Sequence, residues 1–144
     1  MADLVTAALR VRMGQQDAHY GGNLVDGARI LKLFGDLVTE ITIRTDGDEG
    51  LLTGYSSLEF LAPVYAGDFV EATAKLVRRG RLRRTVELEA RKVIRARYDL
   101  GPTTAEELDE SVVVCRGVGT TVVPVSLARG RSGGLPLATT TGAE

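Results

Sequence analysis

The stretch from Asn23 to about Ile41 constrains this chain most. Its polar residues Asp26, Arg29, Lys32, Asp36 and Glu40 recur at spacings of three and four, which puts them in one narrow stripe on a helix. Leu24, Val25, Ala28, Ile30, Leu31, Leu33, Phe34, Leu37, Val38 and Ile41 occupy the rest of the surface. A helix apolar over most of its circumference must be enclosed on several sides. Asn23 has the side chain of an N-cap and is expected to begin it. Asp26 falls on the polar stripe and is expected in solvent. The chain has 144 residues, enough to bury about two-thirds of its unfolded surface around one core.

What encloses the helix must be a sheet. Residues 4–13 mix apolar and basic side chains with the alternation of a first strand, and G-Q-Q-D-A-H-Y-G-G (14–22) reads as a loop. After T-D-G-D-E-G (45–50), which is turn chemistry, come four strand-like runs and no second long helix. The first covers 51–61. The second covers 69–78, with Val70, Ala72, Ala74 and Leu76 on one face. Gly80 breaks the chain before the third, 82–95, which alternates through Val86, Leu88 and Ala90. A polar excursion over 99–110 is expected to be a loop with one helical turn, and 111–124 is the Val-rich last run. The Gly/Thr/Ser-rich tail over 127–144 is expected to be flexible, leaving one domain over residues 1–126. A strand, a long buried helix and four antiparallel strands make an α+β layer with one helix wrapped by a curved sheet. This is the hotdog arrangement. Such a small sheet needs a partner at its edge, so a homodimer or a higher oligomer of dimers is expected.

Composition removes several function classes. Lys+Arg number 18 against 19 Asp+Glu, so no overall field points to nucleic acid or an anionic membrane. One cysteine excludes an internal disulfide and a Cys-cluster metal site, and one histidine excludes a multi-His site. No run approaches a membrane span, and the N-terminus lacks the features of a signal peptide. A cytoplasmic protein is the expectation.

Two segments carry a family signal: V-R-M-G-Q-Q-D-A-H-Y-G-G-N-L-V-D-G-A-R-I-L-K-L-F-G-D (11–36) and S-S-L-E-F-L-A-P-V-Y-A-G-D-F-V-E-A (56–72). With E-A-R-K-V-I (89–94) and V-V-V-C-R-G (112–117), they resemble the 3-aminoacyl-CoA ammonia-lyases, hotdog enzymes acting on β-alanyl-CoA or 3-aminobutyryl-CoA. More loosely, the Gly-rich loop before the helix and F-L-x-P-V-x-x-G-D are similar to hotdog acyl-CoA thioesterases. The resemblance implies a CoA thioester and ammonia as reactants, with no metal or organic cofactor beyond the CoA of the substrate.

On this resemblance, Gly21, Gly22 and Asn23 become candidates for holding the thioester oxygen on backbone N–H groups at the helix start. A tight turn is the plainer reading. Asp17, in the same loop, matches the place of the thioesterase carboxylate, though most loop aspartates make Asx-turns. Glu59 interrupts an apolar stretch. It is either a solvent-facing strand residue or a carboxylate desolvated at a subunit interface, where it becomes a better base. Alternation from Tyr55 puts Ser57, Glu59 and Leu61 on one face. His19 and Tyr20 flank the glycines and can orient the substrate or simply pack. One thioesterase subgroup has an acidic residue where Arg29 stands, which argues against that subgroup's hydrolytic mechanism here. R-R-G-R-L-R-R (78–84) is the one basic concentration. Gly80, Arg83 and Arg84 are candidates for the CoA phosphates, which suit guanidinium forks, against a plain solvated hairpin. Cys115 is expected to be buried, and Gly117 and Gly119 to mark a bulge or close approach. A lyase, a thioesterase using Asp17 alone, and a non-catalytic acyl-CoA binder remain the three classes to separate.

Overall fold

The computed structural model describes residues 4–124, so the tail over 127–144 and the boundary at 126 lie outside the described residues. Strand β1 (Thr6–Arg12) leads through two 3-10 turns (Gln15–Asp17 and Gly21–Asn23) into helix α1 (Gly27–Asp46). Strands β2 (Leu51–Phe60), β3 (Phe69–Arg79), β4 (Arg83–Ala96) and β5 (Ala105–Val122) follow. They form one antiparallel sheet in the order β1-β3-β4-β5-β2, so β1 and β2 are its edges. The sheet contacts α1 with all five strands, the helix-in-sheet layer expected of a hotdog fold.

Burial follows the apolar pattern. Phe34, Leu37 and Ile41 are fully buried, and Leu33 and Val38 nearly so. They face Val70, Ala72, Ala74, Val86, Leu88 and Ala90 of the sheet. Each large side chain removed from water in this way contributes roughly 1.5–3 kcal/mol. The small alanines of β3 and β4 let the helix lie close to the sheet floor.

Three boundaries differ from the expected ones. Helix α1 begins four residues later than Asn23, because Asp26 is its N-cap, with its carboxylate accepting from the N–H of Arg29. Asp26 is therefore a capping residue rather than part of a solvated stripe. The helix also runs five residues past Ile41. Thr42 is fully buried, with its hydroxyl donating to backbone carbonyls that include Glu49, and Gly47 ends the helix in the left-handed region at φ 72°. Burial thus overrides the modest helix propensity of the Thr-rich last turn. The third difference is at the β4–β5 hairpin: β5 starts at Ala105, and 97–104 forms hydrogen-bonded turns without a helix. Arg95 and Arg97 both pair with Glu106 across that hairpin, so the polar segment is held by side-chain charge instead of apolar alternation.

The C-terminal end of α1 carries a buried carboxylate. Asp46 is 1% exposed and lies where the helix dipole disfavours negative charge. Arg84, also 1% exposed, grips it with a two-pronged contact, Nε to Oδ2 and Nη2 to Oδ1, both at 2.9 Å. Arg79 Nη2 adds a bond at 3.2 Å and Thr45 Oγ1 one at 2.7 Å. Burial pushes the Asp46 pKa up, but the bonds from Arg84 and Thr45 and the charges of Arg84 and Arg79 bring it down from 3.8 to about 2. A carboxylate whose folded pKa is depressed stabilises the fold above its unfolded pKa, and that contribution is lost as pH falls through the folded value. The window here runs from about pH 4 down to about pH 2. In urea unfolding across that range, the wild type is expected to lose about 2 kcal/mol that Asp46→Asn does not lose. Equal pH slopes in the two proteins would contradict this role.

Candidate functional site

The loop between β1 and α1 is built around Asp17. Its Oδ2 accepts from the N–H of Gly14 at 2.8 Å, and its Oδ1 accepts from Arg29 Nε at 3.0 Å. The side chains of Asp17 and Arg29 are 14% and 26% exposed, so the pair is largely desolvated. Arg29, which the resemblance marked as a departure, is thus the partner that orients the loop carboxylate. Asp17, His19 and Arg29 line one side of a cavity of about 700 Å³ whose apolar wall is Leu9, Val11 and Leu33. His19 and Tyr20 are exposed and meet edge to face, with ring centroids 5.4 Å apart.

The Gly21–Asn23 turn is separate from the start of α1. Gly22 (φ 69°) and Asn23 (φ 63°) are both left-handed, a conformation glycine and asparagine tolerate best. Leu24 is then extended and bridges to Tyr65. The expectation that these residues form the N-terminus of the buried helix is therefore corrected: Leu24, Val25 and the N-cap Asp26 stand between them and α1. Among the described residues, nothing accepts from the N–H of Gly21 or Gly22, and a Cβ at either would meet no atom within 4 Å. Both residues are exposed.

The turn that leads into β3 braces this loop. Ala66 N–H donates to Asn23 O at 2.9 Å, and Val25 N–H donates to Val64 O at 2.8 Å. The turn itself is organised by Asp68, which is fully buried. Its carboxylate accepts from the N–H groups of Tyr65 and Ala96, both at 2.8 Å, and pairs with Lys92 Nζ at 3.1 Å. Lys92 is 4% exposed and lies over the Tyr65 ring. Neither Asp68 nor Lys92 is among the candidates that the motifs single out. A signal was present: Val86, Leu88 and Ala90 put position 92 on the buried phase of β4, where a lysine demands a buried anion.

Glu59 lies elsewhere. Leu58 packs on the core, and a register shift between Tyr55 and Ser57 leaves Tyr55 facing the core while Ser57 and Glu59 face outward. Register aligns Glu59 with Arg116, and Arg116 with Glu89. These three line a cavity of about 600 Å³ on the outer face of the sheet. Within one chain, then, Asp17 and Glu59 line different cavities. Glu59 makes no hydrogen bond or ion pair with another described residue.

The arginine hairpin divides in two. Arg84, expected on the phosphates, is buried and committed to Asp46, with Nη1 also donating to Gly80 O and Arg83 O. It is not available to a ligand. Gly80 and Arg83 line a cavity of about 500 Å³ together with Arg78 and Arg81. Cys115 is fully buried, as expected, and burial pushes its thiol up to about 11. Burial likewise raises the Tyr55 hydroxyl, with a smaller contribution from Cys115. Gly117 is a close approach: a Cβ there would lie 2.8 Å from Ser57 O. Among the described residues, no group of His, Cys, Asp or Glu could hold a metal ion, and no helix is long and apolar enough to cross a membrane.

Residues 22–95 match the model of the thioesterase superfamily. A 3-aminobutyryl-CoA ammonia lyase of Acetoanaerobium sticklandii is 50% identical over 118 residues, 82% of this chain and 94% of that protein. The solved β-alanyl-CoA:ammonia lyase from Clostridium propionicum superposes with a TM-score of 0.83 at 35% identity, covering 86% of this chain and 88% of that one. A hexameric hotdog thioesterase of Campylobacter jejuni shares the fold at 18% identity, with a TM-score of 0.66 over 81% of this chain and 82% of that one. Identity of this extent, over nearly the whole of the relative, places the chain in the 3-aminoacyl-CoA ammonia-lyase family of the hotdog thioesterase superfamily.

Proposed function

We propose that this protein reversibly eliminates ammonia from a 3-aminoacyl-CoA, β-alanyl-CoA or 3-aminobutyryl-CoA, giving the 2-enoyl-CoA. The observation that carries this reading is the 50% identity to a 3-aminobutyryl-CoA ammonia lyase along 94% of its length. The solved thioesterases share only the fold, so hydrolysis has no comparable support.

The reaction sets three demands. A base takes a proton from C2, and the C2–H electrons become the C2=C3 double bond. The C3–N bond breaks as its electrons leave with the nitrogen, and the departing ammonia takes up the proton to become ammonium. Enolate charge on the thioester oxygen must be stabilised meanwhile. The amides of Gly21 and Gly22 are suited to that oxygen, with Asn23 shaping the turn and His19 and Tyr20 closing around the acyl group. Asp17 and Glu59 divide proton transfer and accommodation of the C3 ammonium between them.

Because one chain leaves these carboxylates in separate cavities, the site is completed by a second copy. Edge strand β2 carries exposed Leu51 and Phe60, with exposed Leu61 just after it, and this unpaired edge is suited to pairing with its equivalent in a homodimer. Higher assemblies of dimers fit the hexameric state named for the Campylobacter jejuni relative. The phosphates of CoA lie at the hairpin, on Arg83 and the backbone of Gly80. No metal or organic cofactor enters this scheme, and the cytoplasm is where the reactants would be met.

Incubation of crotonyl-CoA or acryloyl-CoA with ammonium should yield a product heavier by one ammonia. In deuterated water the same product should carry label at C2. Free CoA without exchange would identify a hydrolase, and an unchanged thioester a binder. Asp17→Asn and Glu59→Gln keep shape while removing charge. Each is expected to lower kcat at least about a hundredfold, the low end for a general acid–base group, with the dimer intact by sedimentation. A fully active Glu59→Gln, or a stable folded monomer in the wild type, would overturn the shared site.

A further inference from the structure

The five arginines of the β3–β4 hairpin face two ways. Arg79 and Arg84 turn inward to the end of α1, where Asp46 takes both guanidinium groups. Arg78, Arg81 and Arg83 are exposed and enter no ion pair with a described residue, and they line the 500 Å³ cavity with Thr85 and Thr120 and no carboxylate. Three guanidinium groups left uncompensated around one cavity repel one another and favour a multiply charged anion between them.

Arg84 connects the two halves. It uses Nε and Nη2 on Asp46, and Nη1 donates to Gly80 O at 2.9 Å and Arg83 O at 3.1 Å. The N–H of Gly80 closes the turn on Arg83 O at 2.8 Å. One buried side chain therefore ties both ends of the four-residue turn to the end of the helix. A turn held at both ends presents Arg81 and Arg83 in a fixed orientation, without the ordering cost a mobile tip would add on binding.

We propose that the Asp46–Arg84 pair is a positioning device, and that it fixes Arg78, Arg81 and Arg83 as a three-arginine site for the phosphate-rich 3′-phospho-ADP end of CoA. The proposal rests on reading this hairpin as the place of the CoA phosphates. It replaces Arg84 as a ligand with Arg84 as an organiser, and adds Arg78 and Arg81 to Arg83.

Arg84→Ala would leave Asp46 buried without its main partner and endanger the fold. Arg84→Lys keeps the charge beside Asp46 but lacks the fork that also reaches Gly80 and Arg83. Calorimetric titration of the full chain with CoA, dephospho-CoA and pantetheine reads each part. Arg84→Lys is expected to weaken CoA about tenfold, the weight of one charge-assisted hydrogen bond, while changing pantetheine less than about twofold. Arg81→Ala and Arg83→Ala should weaken CoA more than dephospho-CoA. In turnover, Arg84→Lys should lower the ratio of kcat/KM for the CoA thioester over the pantetheine thioester by the same factor. If Arg81→Ala and Arg83→Ala weaken CoA but Arg84→Lys does not, positioning is refuted and the phosphate site stands. If none of the three alters CoA affinity, the phosphate site itself is refuted. If Arg84→Lys weakens CoA and pantetheine equally, its role is structural support only and the proposal fails.

Discussion

A helix apolar around most of its surface has to be covered before anything else in the chain can settle. Here α1 is covered by a five-stranded sheet that curves around it, and the fit depends on small residues. Ala72, Ala74 and Ala90 form the floor on which Phe34, Leu37 and Ile41 rest. Hydrophobic burial is non-directional, so by itself it would let the helix slide or rotate within its trough. Direction comes from charge at both helix ends. Asp26 caps the first turn while Arg29 holds Asp17, and Asp46 in the last turn is held by Arg84 and Arg79. The loop bearing the proposed chemistry and the hairpin bearing the proposed phosphate site are thus tied to opposite ends of one rigid element.

Buried ion pairs are weak devices for stability, since taking two charges out of water costs about as much as their attraction returns. Their value here is geometric. Asp68 takes three donors from two segments: the N–H of Tyr65 in its own turn, and the N–H of Ala96 and the Nζ of Lys92 from β4. That fixes the turn whose carbonyl and amide at Val64 and Ala66 support Asn23 and Val25. A non-glycine residue at φ 63° needs such support, because it gives up conformational energy to stay there. The turn bearing Gly21 and Gly22 is thus braced through a buried pair of charges, Asp68 and Lys92.

The helix, its burial, the strand runs and the faces of β3 and β4 were legible because apolar periodicity reports burial directly. The helix ends were not. Asn23 and Asp26 are both competent caps, and only the left-handed turn at Gly22 and Asn23 decides between them. The same holds for 105–110, where cross-strand pairs of Arg95 and Arg97 with Glu106 extend β5 without any apolar alternation to announce it. In the candidate site, the loop residues were visible as a motif. The partners that give them orientation lie twelve residues away for Asp17–Arg29 and thirty-eight for Asp46–Arg84, and local pattern does not encode such pairings. Alternation through Val86, Leu88 and Ala90 does put position 84, like position 92, on the buried phase of β4, but its partner Asp46 lies beyond any local pattern, and that left Arg84 assigned to the phosphates.

The division of the two carboxylates has a chemical logic. Elimination needs groups on C2 and C3 of a short acyl chain, while the thioester oxygen must be held at a third point. A single sheet–helix layer offers one concave side, and α1 fills it. Asp17, beside the β1 edge and oriented by Arg29, and Glu59, on the outer face of the opposite edge strand, cannot face one substrate from within one chain. In the proposed dimer, contact between copies would resolve this by setting the edge of one sheet against the loop of another and excluding water from the space between them. On that proposal, the same constraint that buries the helix also moves the reactive space out of the monomer and into its contact with a second one.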